Sequence, residues 1–169
     1  MIHDGLQHST DRRRLRDALG RFPTGVAIIT TCNAAGKCEG LTANSFSALS
    51  IDPPLILWSL MSTARSMPSF WEAGHFAVNV LAADHLELSR HFARGRENKF
   101  EGVGYEVGIA GCPILTDALA TFECRAQDKL NIGDHVLFVG AVERLDYRDG
   151  DPLIFSAGEY CTRRRLDAA

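Results

Sequence analysis

The 169-residue sequence predicts a mainly β protein of α+β character, in which long antiparallel strands form a closed barrel with a few short helices. Two observations support this prediction. In the last third, residues 119–130 and 135–147 form two long strand-like runs that are joined by a tight turn at 131–134. In the first two thirds, short apolar runs rich in β-branched residues alternate with brief helical patterns.

The first part of the chain begins with a predicted helix at about residues 10–21, because Leu15 and Leu19 recur at helical spacing. The next run, 26–32, is rich in β-branched side chains and predicts a strand. The turn-like segment at 33–37 should return the chain as an antiparallel partner of that strand.

The middle of the chain continues the alternation of short elements. The sequence predicts strands at 55–59, 75–81 and 152–155, helices at 63–73 and 84–94, and a loop at 97–111. There is no internal repeat, linker or low-complexity segment. We therefore expect one domain at residues 15–162, an N-terminal extension at 1–14 that is flexible in part, and a C-terminal tail at 163–169.

Composition excludes several functional classes. The net charge of −3 and the pI of about 6.0 argue against a nucleic-acid partner, which requires a basic face. No apolar run approaches the roughly 20 residues that span a bilayer, so no membrane association is expected. The five cysteines are scattered and form no Cys-x-x-Cys pair. This usage indicates a reducing, cytoplasmic setting in which cysteines serve as small core residues.

The common motifs for nucleotides, metals and nucleophiles are absent from the sequence. The nearest approach to a dinucleotide-binding glycine motif is Gly102, Gly104 and Gly108, where the third glycine comes one residue late and no helical pattern follows. The six histidines show no metal-ligand spacing, so no metal is expected. A bound nucleotide would therefore not be held by a Rossmann unit.

Two clusters of hydroxyl residues lie at the edges of apolar runs. The first cluster, at 40–47, offers the side chains of Thr42, Asn44, Ser45 and Ser47. Ligand binding and a merely polar strand end explain it equally well. The second cluster is Ser59, Ser62, Thr63, Arg65 and Ser66. A helix beginning near Ser62 or Thr63 would add free backbone N–H groups, which favours an anion site over a capped helix with an exposed arginine.

Three further residues are weak signals when each is taken alone. His135 directly follows the turn at 131–134 and can be either a solvated surface residue or a side chain at the mouth of the barrel. Lys99 and Phe100 place a cation and an aromatic ring in the predicted loop, which has meaning only if that loop closes over something flat and charged.

Several motifs appear together in a specific order. They are Phe22-Pro23-Thr24-Gly25-Val26, residues 40–47, Asp52-Pro53-Pro54-Leu55, residues 76–81, Lys99-Phe100 and Gly133-Asp134-His135. In this order the sequence resembles the short-chain flavin reductases with the FMN-binding split-barrel fold, from about Leu15 to Tyr160. These are the reductase components of two-component flavin-dependent monooxygenases.

The resemblance implies a homodimer of split barrels with the flavin near the subunit interface. It implies that residues 42–47, including Ala43, line the isoalloxazine and the ribityl chain. It also implies that the second hydroxyl cluster holds the phosphate, in agreement with the anion-site interpretation. Lys99 and Phe100 would close over the flavin, and His135, the catalytic candidate, would lie near the nicotinamide.

The implied activity is hydride transfer from NADH or NADPH to FMN or FAD, with the reduced flavin supplied to a partner monooxygenase. This chemistry requires two flat rings held in contact, with neither nucleophile nor metal. Two alternatives stay open. One is a flavoprotein that retains its flavin and passes electrons to another acceptor, such as a corrinoid. The other is a non-enzymatic module that binds flavin or haem.

Overall fold

The computed structural model describes residues 9–33, 35–95, 97–164 and 166. Three α-helices are described: α1 Ser9–Leu19, α2 Met67–Glu72 and α3 Leu86–Ala93. The strands are β1 Thr24–Gly25, β2 Ala27–Cys32, β3 Cys38–Ala43, β4 Ser47–Ser50, β5 Leu55–Met61, β6 His75–Val80, β7 Tyr105–Val107, β8 Pro113–Leu115, β9 Ala120–Ile132, β10 His135–Tyr147, β11 Ile154–Ser156 and β12 Glu159–Cys161. Short 3₁₀ turns cover Ala83–His85 and Ile109–Gly111.

Seven strands form the main sheet in the order β3-β2-β6-β9-β10-β5-β4, and every neighbouring pair is antiparallel. Its edge strands, β3 and β4, follow one another in the chain and are joined by residues 44–46, with no ladder between them in the described ranges. The prediction of a mainly β, antiparallel fold with few short helices is confirmed. The prediction that the barrel is closed is wrong, because the sheet keeps two free edges.

The interior contains two apolar clusters on opposite faces of the sheet strands. In the larger one, the buried ring of Trp58 stacks on Phe138 at a centroid distance of 4.4 Å and meets Phe70 and Phe76 edge to face. The smaller cluster lies beneath α3 and includes Val26, Ile28, Leu81, Phe92, Leu115 and Leu153. Through Phe92, this second cluster packs α3 onto the sheet beside β2, and so it helps to position the site described below.

The helices differ in extent from the sequence prediction. The helix expected at 63–73 begins at Met67, because residues 62–66 form turns and Pro68 occupies the first helical turn. The helix expected at 84–94 is a 3₁₀ turn followed by α3. Helix α1 begins at Ser9, within the predicted extension at 1–14, and residues 1–8 and 167–169 lie outside the described residues. No helix in the described ranges is long and apolar enough to cross a membrane.

The cysteines do not all behave as small core residues. Cys32 and Cys38 lie opposite each other in the β2–β3 ladder, with 4.0 Å between their Cα atoms, and they form a disulfide. Cys112 and Cys124 are buried thiols, and burial raises the pKa of Cys124 to about 12. Cys161 is exposed. The prediction is therefore wrong for Cys32, Cys38 and Cys161, because hairpin register, which spacing alone does not give, pairs two of them.

Candidate functional site

A cavity of about 980 Å³ lies between β3, α3, the segment 94–105 and the end of β5. Its lining combines apolar side chains with four cations and three carboxylates. The apolar group is Leu41, Leu60, Ala64, Phe92, Ala93, Phe100 and Tyr105, and the charged group is Lys37, Arg65, Arg94, Lys99, Glu39, Glu97 and Glu101. Such a mixture of an apolar wall with convergent polar groups is typical of small-molecule sites.

One side of the cavity, here called the β3–α3 side, consists of β3, α3 and residues 97–105. At Gly40, a Cβ atom would lie 2.7 Å from Cε1 of Phe92 and 3.1 Å from Cζ of Phe100, so only glycine admits both rings. Thr42 donates its hydroxyl to the carbonyl oxygen of Ser89 at 2.6 Å, which ties β3 to α3. The rings of Phe92, Phe100 and Tyr105 meet edge to face and form a continuous aromatic wall.

Lys99 links the elements of the β3–α3 side to one another. Its Nζ donates to the carbonyl oxygens of Gly40 at 2.8 Å and Phe92 at 3.3 Å. The carboxylate of Glu39 lies 3.6 Å away. Asn98, directly before Lys99, adopts a positive φ of 54°, which an asparagine tolerates and which turns the chain toward β3. The ammonium is thus engaged by the protein itself.

The opposite side, here called the β5–α2 side, consists of the end of β5 and residues 62–67. Arg65 is exposed, and its Nη1 would lie 3.6 Å from a Cβ atom added at Gly95. Ser66 is 8% exposed and lines the cavity. Within the described residues, neither the Arg65 guanidinium nor the Ser66 hydroxyl has a hydrogen-bond partner. Both groups are therefore available to a ligand.

The free backbone N–H groups expected near Ser62 and Thr63 are found only in part. The N–H and the hydroxyl of Ser62 both donate to the carbonyl oxygen of Asp134, at 2.9 and 3.0 Å. The N–H of Ala64 donates to Met61, and that of Met67 to Ala64. The expected helix start at Ser62 or Thr63 is wrong, because these residues form turns and the helix starts only at Met67. Within the described residues, the backbone N–H groups of Thr63, Arg65 and Ser66 have no hydrogen-bond acceptor.

The structure brings together five of the predicted site residues, and they are Thr42, Arg65, Ser66, Lys99 and Phe100. Eight others do not line this cavity, namely Ala43, Asn44, Ser45, Ser47, Ser59, Ser62, Thr63 and His135. The hydroxyl of Ser45 bonds the backbone N–H and carbonyl of Ser59 at 3.0 Å each, so it links the start of β4 to β5. Asn44, Ser47 and Thr63 are exposed, and Ala43 is buried.

His135 lies at the start of β10, opposite Met61 at the end of β5. Its Nδ1 is 2.7 Å from Oδ1 of Asp134, and its side chain is 41% exposed. This hydrogen bond, together with the charge of the imidazole, holds the pKa of Asp134 below its ordinary value. The pair lies beside Ser62 rather than on the cavity wall.

Sequence reasoning missed the contribution of α3 and of the residues that follow it. Phe92, Arg94 and Tyr105 all line the cavity. The helix predicted at 84–94 contains Phe92, but no sequence pattern indicates that the ring of Phe92 reaches Gly40. A glycine inside an otherwise regular strand was the available signal, since it marks a close approach of another group.

A second cavity, of about 320 Å³, lies beside β7, β8 and the end of β10. It contains the carboxylates of Glu106, Asp117 and Asp146, while the Arg148 guanidinium donates to the carbonyl oxygen of Asp117. None of the predicted site residues lies there. The described residues also contain no group of three or more His, Cys, Asp or Glu side chains that could hold a metal ion. The larger cavity is therefore the candidate site.

An open antiparallel barrel with an aromatic cavity beside exposed cations defines the class of split-barrel proteins that bind flat, charged cofactors. The family model "Flavin reductase like domain" matches residues 19–164. The chain belongs to this family, which confirms the family and the fold that the resemblance implied.

Two curated relatives carry reductase names. The FMN reductase (NADH) SmoA of Agrobacterium fabrum is 45% identical over 149 residues, which cover 88% of this chain and 84% of that protein. A Rhizobium meliloti protein named "Probable flavin reductase" is 44% identical over 154 residues, which cover 91% of this chain. The chain spans about half the length of that relative, 50%.

A solved structure agrees over nearly the full length. The Streptomyces globisporus NADH:FAD oxidoreductase SgcE6, in complex with NAD and FAD fragments, superposes with a TM-score of 0.88 at 33% identity. The match covers 96% of this chain and 98% of that one. This chain is thus similar in fold to a reductase that binds both a flavin and a nicotinamide nucleotide.

Proposed function

We propose that this protein is an NADH-dependent flavin reductase that reduces FMN or FAD and supplies the reduced flavin to a partner monooxygenase. One observation carries the proposal: across a cavity of about 980 Å³, an aromatic wall faces Arg65 and Ser66, whose side chains have no hydrogen-bond partner among the described residues. The names of the relatives support NADH over NADPH as the donor and leave FMN and FAD both possible.

The residues of the cavity fit a flavin. The apolar lining residues Leu41, Phe92 and Phe100 suit a flat, largely apolar ring system, because the burial of aromatic surface favours binding of such a ring. Arg65 and Ser66 suit a phosphate, since a guanidinium and a hydroxyl are the donors that phosphates prefer. Arg94 adds a second cation at the same rim.

The flavin, when bound, supplies the hydride acceptor, and the protein contributes position. The β3–α3 side presents a rigid surface against which a flat ring can lie, and it excludes water from that face. The β5–α2 side anchors the phosphate through Arg65. The remaining predicted contacts stay predictions: residues 43–47 along the ring and ribityl chain, and Ser59, Ser62 and Thr63 at the phosphate.

His135 stays the candidate for contact with the nicotinamide. It lies at the start of β10 next to the β5–α2 side, and Asp134 fixes its ring through a 2.7 Å hydrogen bond. An oriented, partly exposed imidazole at this edge is suited to bind a polar group of an incoming nucleotide. The contact is made if the nicotinamide enters from the β5–α2 side.

The proposal extends to assembly and location. Leu15 and Leu19 lie one turn apart in α1, and Phe22 follows just after the helix; they are exposed at 44%, 64% and 75%. Exposed apolar side chains of this size favour burial against another protein surface, which supports a homodimer. We place the enzyme in the cytoplasm, where NADH is formed and used. We propose residues 15–162 as its flavin reductase domain.

The test is an anaerobic NADH oxidation assay with FMN, FAD and riboflavin compared side by side. Turnover that rises with added free flavin supports the proposal. A yellow protein that NADH reduces but that ignores added flavin would instead support a retained cofactor and another acceptor. Absence of NADH oxidation with all three flavins would leave only a binding module and would refute the proposal.

A further inference from the structure

Lys99 is a cavity residue whose charge is used by the protein. A lysine ammonium carries three donors. Two of them reach the carbonyl oxygens of Gly40 and Phe92, at 2.8 and 3.3 Å, and Oε1 of Glu39 at 3.6 Å is the remaining partner. The side chain is only 12% exposed. Two of the three donors are therefore engaged by backbone carbonyls, and the Glu39 carboxylate neutralises the ammonium as an ion pair at 3.6 Å, so little of this charge is left for the phosphate of a ligand.

The partners of Lys99 join three separate parts of the chain. Phe92 lies in the last turn of α3, where carbonyl oxygens lack intrahelical donors and where a cation is favoured by the helix dipole. Gly40 lies in β3. The carbonyl oxygen of Lys99 itself is 2.7 Å from Nε2 of His91. One residue thus fixes the segment 97–101 to both β3 and α3.

The position of Phe100 depends on this fastening. Phe100 follows Lys99 directly and lies over the bare backbone of Gly40. Its ring contacts Phe92 and Tyr105 edge to face, at centroid distances of 5.2 and 5.4 Å. If Lys99 lost its bonds, the segment that carries Phe100 would lose its link to β3, and the aromatic wall would no longer be held in one position.

We propose that Lys99 is a positioning residue for flavin binding, which acts by holding Phe100 in the cavity wall and makes no contact with the phosphate. This inference rests on the proposed function, and it assigns a role to one residue of that same site. It differs from the sequence-based expectation that Lys99 itself closes over the flavin. Its consequence is that the contribution of Lys99 to affinity is the same with or without a phosphate on the ligand.

The chain contains a matched control for this role. Lys129 donates to the carbonyl oxygens of Trp71 and Ala73, at the C-terminal end of α2, with 2.8 Å between Nζ and Ala73. It makes the same kind of bond as Lys99, from an ammonium to the carbonyls at a helix end, but it does not line the cavity. Loss of Lys129 therefore reports on general stability alone.

The experiment measures dissociation constants of FMN and riboflavin by flavin fluorescence for the wild type, Lys99→Met and Lys129→Met. We expect Lys99→Met to weaken both ligands by a common factor of about three to ten, the cost of ordering the loosened side chains on binding. We expect Lys129→Met to leave both constants unchanged, although both variants unfold at a lower temperature.

Two results would overturn the positioning role. One is a loss for FMN with unchanged riboflavin affinity, which would mean that the ammonium binds phosphate. The other is that Lys99→Met leaves both dissociation constants unchanged, as Lys129→Met is expected to do.

If Lys99→Met does not fold, Lys99→Arg tests the same role. A planar guanidinium cannot replace a compact ammonium between two carbonyls, so both ligands should bind more weakly although the charge is kept. Retained FMN affinity in Lys99→Arg would contradict the proposal. Wild-type protein that binds neither ligand would refute the proposed function instead.

Discussion

The two sides of the cavity differ in how much of their polar capacity the protein itself uses. On the β3–α3 side, Thr42 bonds α3 and Lys99 bonds β3 and α3, so the polar groups hold the wall together. On the β5–α2 side, Arg65 and Ser66 face the cavity without partners in the described residues. The β3–α3 side therefore determines the shape of the cavity, and the β5–α2 side provides the charge that a ligand meets there.

This difference predicts a division of binding energy. A ring system gains from a rigid aromatic wall because little side-chain freedom is lost when it binds. A phosphate gains from exposed donors whose bonds do not first have to be broken within the protein. Changes on the β3–α3 side should therefore affect FMN and riboflavin alike, whereas changes on the β5–α2 side should affect FMN alone.

The largest effect is expected for Gly40→Ala. The new methyl group would lie 2.7 Å from the ring of Phe92, which is 1% exposed and has no room to move. Overpacking of this kind costs about 2–3 kcal/mol of folding free energy. Denaturant unfolding measures it, and both ligands should bind more weakly because Phe100 is displaced as well.

Gly74→Ala is the control for that experiment, because nothing lies within 4 Å of a Cβ atom added at Gly74. Its free energy of unfolding should change by no more than about 0.5–1 kcal/mol in either direction. If Gly40→Ala changed the free energy of unfolding as little as Gly74→Ala does, the β3–α3 side would be adaptable, and the conclusion that it is rigid would be wrong.

A smaller and more selective effect is expected for Arg65→Ala. Because the guanidinium is exposed, its bond to a phosphate is worth about 1–2 kcal/mol, toward the lower part of the range for charge-assisted bonds. FMN should therefore bind about 5- to 30-fold more weakly, with riboflavin unchanged. Titration of both ligands at two salt concentrations checks this, since added salt should reduce the FMN difference. Equal loss for both flavins would contradict the division between the two sides.

The sequence predicted the strands better than it predicted the site. The two long strand-like runs and the tight turn between them placed β9 and β10 within two residues of their observed bounds. Arg65 and Ser66 were found because small donors around one arginine are unusual beside an apolar strand. Both predictions used only residues that are close together in the sequence, and such local patterns were sufficient to find these strands and these two site residues.

The rest depended on contacts between distant parts of the chain. The packing of Phe92 over Gly40 and the engagement of Lys99 are set by how α3 lies on β3, which no short pattern encodes. The same holds for the disulfide of Cys32 and Cys38, which follows from hairpin register. The second hydroxyl cluster looked like one anion site, but Ser62 uses its hydroxyl on Asp134.

Ser66→Ala gives the smallest expected effect and the finest test of the β5–α2 side. The hydroxyl of Ser66 is a neutral donor, so its loss should weaken FMN by about 0.5–1.5 kcal/mol, or roughly two- to twelvefold. Ser69→Ala is the control, because Ser69 lies three residues further on, within α2 and away from the cavity, and its loss should leave FMN affinity unchanged. Ser62→Ala completes the comparison, because it distinguishes the observed cavity from the wider cluster that the sequence predicted. A larger loss in Ser62→Ala than in Ser66→Ala would move the phosphate toward the β10 turn and away from the cavity described here.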